Sequence, residues 1–311
     1  MSFDLAGLRA AVQAHGRVAR VVIAEVAGSS PREVGAAMLV WDGGQSGTIG
    51  GGALELQAAQ QAFTRKGLTR HALGPELGQC CGGAVTLLTE VYDAQAVETL
   101  DESVIARGPG DMPLAVKRSL DRARARGAEP TAQLIQGWMI EAVLRPQNSL
   151  WIWGAGHVGR ALVDVLSPLP DWAITWVDTA PDRFPDVVPQ GVTALPAAEP
   201  CLAMRHAPKH AAHLILTYSH ELDLALCHAA LTHGFGFAGL IGSDTKKARF
   251  WKRLRALGHS PAEIDGICCP IGQKDLGKAP QAIAIGVAAQ LLTLEKRNGQ
   301  RWTLPSLASA V

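Results

Sequence analysis

The chain has 311 residues, of which 48% are hydrophobic and 18% are charged, and its net charge is +1 at neutral pH. This length favours two domains, and the composition is that of a globular protein with an extensive core. The near-zero charge provides no broad basic surface, which disfavours nucleic acid as the main partner. No run of about 18 apolar residues predicts a membrane span.

The six cysteines indicate a reducing environment. Four form vicinal pairs, at 80–81 and 268–269, and the other two are Cys201 and Cys227. The first ten residues include Asp4 and lack the apolar core of a secretory signal. Reduced thiols are more common in such a chain than a disulfide framework. We therefore expect a cytoplasmic protein.

The first half predicts a mixed α/β domain over residues 1–145. Leu5, Leu8 and Val12 recur at helical spacing in an opening helix at 4–15. Valine, isoleucine and threonine favour strands at 20–26, 37–41, 48–49, 84–92, 113–120 and 138–144, with a second helix at 53–66. The polar segment 145–149 is the predicted domain boundary.

One segment of this domain combines two thiols with two glycines. Gln79, Cys80 and Cys81 are followed directly by Gly82 and Gly83. Glycine lets backbone N–H groups approach a ligand closely, and thiols offer soft sulfur to a metal or a sulfur-bearing cofactor. Burial of the thiols in a core is the ordinary alternative. The flanking glycines and the polar Gln79 favour ligand or sulfur chemistry.

Two further segments of the domain suit an anionic ligand. Ser29, Ser30 and Arg32 offer hydroxyls and a guanidinium, which are good donors to anions. Gly51 and Gly52 precede the second predicted helix, and a helix start has N–H groups without helical partners. Together with the cysteine–glycine segment, these residues predict a small-molecule site.

The second half predicts a Rossmann-like, doubly wound parallel sheet over residues 150–295, followed by a tail at 296–311. Strands are expected at 150–153, 173–177, 214–217, 237–241 and 267–269. Helices are expected after the glycine motif at 154–159 as far as residue 166, and at 222–232, 245–257 and 280–294. Alternating strands and helices of this kind form a parallel sheet covered on both faces.

The first strand of this half leads into a G-x-G-x-x-G motif. Gly154 is expected to form the turn, Gly156 to admit a phosphate and Gly159 to let helix and strand pack. Asp178, 19 residues after Gly159, is placed to accept a hydrogen bond from a ribose hydroxyl. A scaffold whose ligand has changed is the alternative. His157 is either a ligand contact or an ordinary surface histidine.

Two other features of this half have competing interpretations. Ser219 and His220 follow a predicted strand, at the sheet edge where ligands bind in this fold. Adjacent extended residues point in opposite directions, which disfavours a nucleophile–base pair. Helix capping by Ser219 or Glu221 competes evenly with ligand binding at this segment. For Cys268 and Cys269, burial in a strand is favoured.

These segments resemble a known family. GSSPREVGAAMLV, GTIGGGALE and LGQCCGG resemble the N-terminal domain of the XdhC/CoxI family. Its Rossmann domain is similar to the segments WGAGHVGRAL, TYSHELDLAL, GLIGSDTKKARF, CPIG and GKAPQAIAIGVAAQLL. The resemblance runs from about residue 21 to 292. Two segments depart from it: QKD at 273–275 replaces a more apolar stretch, and TAP at 179–181 stands where an arginine is expected.

The resemblance implies an accessory protein rather than an enzyme. Such proteins bind the molybdenum cofactor, a molybdopterin carrying molybdenum, and protect it. They support replacement of an oxo by a sulfido ligand with a cysteine desulfurase, then deliver the cofactor to xanthine dehydrogenase. On this basis the candidate residues above would bind the cofactor, Cys80 and Cys81 would contact molybdenum, the Rossmann turn could hold a nucleotide, and the chain would form a homodimer.

Two rival functions are compatible with the residues. The first is an NAD(P)-dependent oxidoreductase that uses Gly154, Gly156, Gly159 and Asp178, and it leaves the cysteine–glycine segment without a role. The second is an interaction protein that bridges the dehydrogenase and the desulfurase without holding cofactor, and it predicts partner binding that is indifferent to the vicinal thiols.

Overall fold

The structure, a computed structural model, describes residues 2–74, 82–297 and 301–303, with side chains described as far as 294. The chain divides into two compact units, Met1–Leu144 and Arg145–Val311. Gln79, Cys80 and Cys81 lie outside the described residues. Within the described part, every helix is too short or too polar to cross a bilayer.

The first unit is built on an antiparallel five-stranded sheet. Its strands are, in spatial order, β3 Gly44–Gly47, β2 Ala37–Trp41, β1 Val18–Ala27, β5 Ala84–Tyr92 and β4 Gly67–Ala72. A smaller antiparallel sheet has the order β6 Val104–Arg107, β8 Trp138–Ala142, β7 Gln133–Ile135. The helices are α1 Leu5–His15, α2 Gly52–Gln61, α3 Ala94–Glu98 and α4 Leu114–Ala125.

The central strand β1 is buried on both of its faces, and this makes it the core of the first unit. Val21 and Ile23 pack in one cluster with Leu54 of α2. Val22, from the opposite face of β1, packs in a second cluster with Met139 of β8. Because successive strand residues point to opposite faces, a continuous apolar run here places one layer on each side of the sheet.

Local signals explain the helices of this unit. In α1, as predicted, Leu5, Leu8 and Val12 are buried, and Asp4 caps the helix by accepting a hydrogen bond from the N–H of Gly7 at 2.8 Å. The strand predicted at 113–120 is wrong, because residues 114–120 lie in α4. Pro113 precedes that helix as its N-cap, and the Ala, Leu, Lys and Arg residues that follow are strong helix formers.

The second unit contains a six-stranded parallel sheet. Its spatial order is β11 Val192–Pro196, β10 Trp172–Asp178, β9 Asn148–Trp153, β12 Ala212–Ile215, β13 Phe237–Leu240 and β14 Ile267–Cys268. The helices are α5 His157–Leu166, α6 Pro200–Ala203, α7 His220–His233, α8 Asp244–Ala256, α9 Pro261–Ile264 and α10 Pro280–Leu292, with 3-10 turns at Pro181–Arg183, Met204–His206 and Lys274–Leu276. Two strands, β15 Glu295–Arg297 and β16 Arg301–Thr303, pair with each other.

Separate apolar layers cover the two faces of this sheet. One contains Leu162 of α5 and Val287 of α10, and the other contains Leu226 of α7 and Leu254 of α8. This confirms the predicted doubly wound α/β domain. The structure has a sixth strand, the edge strand β11, in addition to the five predicted ones. The sequence does not predict it because VTALP is short and ends in proline, which is rare within sheets.

A buried ionic network ties the two sheets of the first unit together. Glu141 of β8 is fully buried and accepts two hydrogen bonds from Arg20 of β1, at 2.7 and 3.0 Å. Arg107 of β6 binds both Glu141 and Glu90 of β5 at 2.5 Å. The Arg20 and Arg107 guanidinium carbons lie 4.1 and 5.1 Å from the ring centre of Phe3. Burial raises the pKa of Glu141, but Arg20 and Arg107 outweigh that effect, so the pKa lies below its usual value.

We expect Glu141→Gln to destabilise the chain by about 3–5 kcal/mol, because two buried guanidinium groups would lose their shared counter-charge. Urea unfolding at neutral pH measures the change. The matched control is Asp121→Asn, which breaks an exposed pair with Arg124 and should cost at most about 1 kcal/mol. Equal costs for the two variants would contradict the assignment.

The loss of stability caused by Glu141→Gln should depend on pH. Because the folded-state pKa of Glu141 is depressed, its contribution to stability is complete above the unfolded value near 4.5 and is lost as pH falls through the folded-state pKa. The stability gap between the unsubstituted chain and Glu141→Gln should therefore narrow on acidification below that value. A gap that does not narrow in acid would show that the charge of Glu141 is not what stabilises the fold.

Candidate functional site

The first unit brings its two polar glycine segments to one end of strands β1 and β5. Ala27 pairs with Ala84, so Gly28 and Gly83 lie side by side just beyond the pairing. Gly28 has φ +76°, a conformation that favours glycine, and a Cβ on Gly83 would overlap the backbone oxygen of Ser29. Gly83 is therefore required for close packing. Gly82 has open space where a Cβ would stand, and it follows directly after Cys80 and Cys81 in the chain.

The glycine run after β3 reaches the same place. Gly50 has φ +124°, and a Cβ on it would lie 2.6 Å from the Pro31 ring and 3.5 Å from the Arg32 side chain. This contact places the start of α2 beside the loop at residues 28–32, which contains Ser29, Ser30 and Arg32. An open depression of about 460 Å³ is lined here by Val26, Gly28, Ser30, Pro31, Arg32, Glu33 and Val34. The structure thus brings together three segments that the sequence analysis selected.

Arg32 retains hydrogen-bonding capacity at this depression. Its guanidinium contacts Glu33 only at 3.4 and 3.5 Å, which is long for a charge-assisted bond. Ser30 donates to the backbone oxygen of Arg32 at 2.9 Å, so Ser30 serves to shape the loop. The Ser29 residue is exposed. Arg32 and Ser29 are therefore the donors best placed for an anionic ligand.

The start of α2 differs from the open anion site predicted at Gly51 and Gly52. The Glu55 carboxylate accepts hydrogen bonds from the N–H groups of Ile49 and Gly51, both at 3.0 Å, and from the Thr48 hydroxyl at 2.5 Å. Partial burial would raise the pKa of Glu55, but these donors lower it. Glu55 therefore already supplies a negative charge to part of the predicted anion site.

In the second unit, the three motif glycines have the packing that the sequence predicted. Gly154 has φ +122°, and a Cβ on it would lie 2.6 Å from the backbone oxygen of Leu216, which directly follows the neighbouring strand β12. A Cβ on Gly159 would overlap the backbone oxygen of Gly154. Nothing lies within 4 Å of a Cβ on Gly156, so only the middle glycine faces open space. A ligand can approach the backbone there.

Asp178 is engaged inside the protein. It is buried, and its two carboxylate oxygens accept from the N–H of Ala155 at 2.6 Å and the N–H of Thr179 at 2.7 Å. Arg183 comes within 3.4 Å of the same carboxylate and stacks on the exposed Tyr218 ring at 5.0 Å. Asp178 therefore stabilises the glycine turn, where the sequence predicted a ribose contact. Arg183, five residues after Asp178, thus brings a guanidinium to this carboxylate although TAP occupies 179–181.

The two histidine candidates lie at helix starts. His157 is the first residue of α5 and is exposed. His220 is the first residue of α7, also exposed, and meets the Phe250 ring edge-on at 6.5 Å. Ser219 caps α7 by accepting from the N–H of Leu222, which supports the capping interpretation for that serine. Ligand contact by His157 and His220 remains a prediction.

Sequence reasoning missed a buried ion pair at the same sheet edge. Asp223 is 1% exposed and accepts from the N–H of Thr217 at 2.9 Å and from the Thr217 hydroxyl at 2.8 Å. Its other oxygen accepts from the Lys246 ammonium at 2.5 Å, which also donates to the backbone oxygen of Ile241 at 2.9 Å. The available signal was the single acid within the apolar stretch LDLAL.

The charges of Asp223 and Lys246 act on the pKa values of two nearby thiols, Cys227 and Cys269. Burial raises the pKa of Cys269 to about 11, with Lys246 and Lys247 acting in the opposite direction. Burial, followed by the charge of Asp223, raises the pKa of Cys227 as well. Both thiols are therefore protonated at neutral pH, which agrees with the structural role expected for Cys269.

The fold and these sites define a two-unit α/β protein with a Rossmann-like second unit and a glycine-rich polar loop cluster in the first. Residues 150–291 match the XdhC Rossmann domain, and residues 11–70 match the XdhC and CoxI family. The chain belongs to the XdhC/CoxI family.

Two known proteins resemble the chain over most of its length. YqeB, an uncharacterized protein of Escherichia coli strain K12, is 24% identical over 283 residues, which are 88% of this chain and 42% of YqeB. The chain thus spans less than half of that relative. A crystal structure from Bacillus halodurans, named a xanthine dehydrogenase, has TM-score 0.63 and 20% identity, over 94% of this chain and 95% of its own. This likeness confirms the fold.

We expect Lys246→Met to destabilise the chain by about 3–5 kcal/mol, since it leaves the Asp223 carboxylate buried without its counter-charge. Urea unfolding followed by tryptophan fluorescence measures this. The exposed Lys252→Met is the matched control and should change stability by less than about 0.5 kcal/mol. The pair assignment fails if adding Asp223→Asn to Lys246→Met recovers none of the lost stability.

We expect Cys227 and Cys269 to resist iodoacetamide in the folded chain at pH 8, because the reactive thiolate is rare below the raised pKa values. Labelling of Cys269 should rise roughly tenfold per pH unit below its pKa of about 11. Peptide mass spectrometry reads each site, with the urea-unfolded chain as the fully reactive control. Rapid labelling of either thiol at pH 8 in the folded chain would be the contrary result.

Proposed function

We propose that this chain is a cytoplasmic accessory protein that binds the molybdenum cofactor, protects it, supports its sulfuration and inserts it into xanthine dehydrogenase. The observation that carries the proposal is the convergence of three glycine-containing segments. Gly83 lies beside Gly28, and Gly50 packs against Pro31 and Arg32. Gly28, Pro31 and Arg32 line an open depression. Membership of the XdhC/CoxI family across both units supports it.

The donors at the depression suit the chemistry of this cofactor. Molybdopterin brings a phosphate, a polar pterin and a dithiolene-bound metal. The half-buried Arg32, whose guanidinium has only long contacts with Glu33, would bind the anionic phosphate through charge-assisted hydrogen bonds. Ser29 would donate its hydroxyl, while Gly82 would leave room for the ligand to approach the backbone.

The vicinal thiols carry the proposed sulfur chemistry. Cys80 and Cys81 immediately precede the glycine pair in sequence. When bound, the cofactor would supply a thiophilic metal, for which thiolates are suitable ligands. We assign these two thiols to metal contact and sulfur handling. The thiols Cys227 and Cys269 are unsuited to that role, because burial raises their pKa values.

The proposed partners are xanthine dehydrogenase and a cysteine desulfurase, with the chain acting as a homodimer. Family membership supports an accessory role. The name xanthine dehydrogenase given to the Bacillus halodurans relative is consistent with that association. On this proposal the chain holds and transfers the cofactor and catalyses no turnover of its own.

The alternative, an NAD(P)-dependent oxidoreductase, relies on the glycine turn of the second unit. Gly156 leaves room for a nucleotide phosphate. Asp178, however, already accepts hydrogen bonds from Ala155 and Thr179, so a ribose hydroxyl would compete with those internal donors. This arrangement favours the accessory protein over the dehydrogenase.

Cofactor loading tests the proposal. The full chain is purified from a molybdenum-replete host, and molybdenum and oxidised-pterin fluorescence are measured per chain. We expect substantial content of both in the unsubstituted protein. The double variant Cys80→Ser/Cys81→Ser should retain roughly tenfold less, which corresponds to a loss of about 1.4 kcal/mol in binding.

Cys201→Ser is the matched control, because it removes a thiol from the second unit and should leave loading unchanged. Unchanged loading in the double variant would overturn the thiol assignment. A chain that refuses added cofactor yet binds NAD with saturation would overturn the proposed function and favour the oxidoreductase.

A further inference from the structure

A cavity in the second unit lies apart from the glycine turn. Its volume is about 280 Å³, and it is formed where the chain leaves β13 and β14, together with the first turn of α10. The glycine turn follows β9, and β12 stands between β9 and β13 in the sheet. Neighbouring strands are about 4.8 Å apart, so two strand spacings put the cavity roughly 10 Å along the sheet edge from the turn.

The cavity has apolar walls contributed by three different segments. Ile241 follows β13, Pro270 and Ile271 follow β14, and Ile283 lies in the first turn of α10. Branched aliphatic side chains and a proline ring present flat, hydrocarbon surfaces with no hydrogen-bonding groups. Such walls favour the faces of a planar ring over a hydrated ion.

The mouth of the cavity carries an uncompensated positive charge. Lys274 pairs with Asp244 at 2.7 Å, so these two charges offset each other. Lys278 also lines the cavity, and no hydrogen bond or ion pair joins it to another described residue. Two helices of 13 residues, α8 and α10, begin at the cavity with the positive ends of their dipoles. These features favour a negatively charged group.

The backbone at the mouth is accessible. Gly277 has φ +100° and nothing within 4 Å of where a Cβ would stand, so a ligand can approach this part of the backbone. Its N–H already donates to the backbone oxygen of Lys274 at 3.3 Å. Peptide N–H and C=O groups can hydrogen-bond the edge of a heterocycle that lies between apolar walls. A volume of about 280 Å³ is at the lower limit of small-molecule sites, roughly 300–1,000 Å³, and suits one ring system rather than a dinucleotide.

We propose that this cavity is a binding site for a planar heteroaromatic ring that carries an anionic group, with the ring between Ile241, Ile271 and Ile283 and the anion at Lys278. A pterin and a purine nucleotide share this chemistry. The site goes beyond the proposed function, because it assigns a ligand to the second unit whatever the first unit holds.

The test uses the full chain and two probes, pterin-6-carboxylate followed by its fluorescence and AMP followed by calorimetry. We expect saturable binding of at least one probe. Lys278→Glu should weaken that binding tenfold or more, and it should fold normally because the residue is exposed and an acid is favourable before a helix start. Lys252→Glu, an exposed charge reversal on α8, is the matched control and should change binding less than twofold.

Ile283→Trp supplies a second, steric variant that should fill the cavity and abolish binding of both probes, with circular dichroism confirming its fold. Binding of pterin-6-carboxylate alone would identify a pterin site, and binding of AMP alone a nucleotide site. Failure of both probes at millimolar concentration, or binding that is insensitive to Lys278→Glu and to a folded Ile283→Trp, would overturn the proposal.

The probe-binding experiment and the cofactor-loading experiment can fail independently of each other. If the purified chain retains cofactor but neither probe binds, this site is wrong and the proposed function stands. If the probes bind and the cavity variants abolish binding while the chain holds no cofactor, the site stands and the proposed function falls.

Discussion

The buried Asp223 carboxylate fixes the edge of the second unit's sheet at which β12 and β13 end. Through Thr217 it holds the chain where β12 ends, and through Lys246 it is linked to the chain at Ile241, where β13 ends. Lys246 also packs against Gly242, where an added Cβ would come within 2.8 Å of the lysine chain. One ion pair therefore sets the positions of two neighbouring loops and of the starts of α7 and α8.

A carboxylate that accepts hydrogen bonds from the backbone also stabilises each of the two glycine-rich turns. Asp178 accepts from the backbone beside the Rossmann turn, and Glu55 accepts from the backbone of the turn that precedes α2. In each case a carboxylate satisfies N–H groups that would otherwise have no partner, and it holds the loop in one conformation without help from a ligand. Such loops are preorganised, so a bound molecule would not need to order them.

Periodicity and glycine spacing predicted the parts of the fold that depend on local sequence. The alternating series of the second unit and the packing roles of Gly154 and Gly159 both follow from such signals. Apolar periodicity does not predict the helix at Leu114–Ala125, because its apolar residues are few and it forms through the helical propensity of its Ala, Leu, Lys and Arg residues. The engagement of Asp178 by the N–H of Ala155 joins residues 23 positions apart, and no single-sequence pattern encodes that contact.

The buried network in the first unit also constrains how its sequence can change over time. Arg20, Arg107, Glu90 and Glu141 are two cations and two anions that neutralise one another. A substitution at one position leaves the others with an unmatched charge, whereas replacing the whole set by apolar residues of similar volume can be nearly neutral. Among related sequences, we therefore expect the four positions to be substituted together. Sequences that keep only some of the four charged residues should be rare.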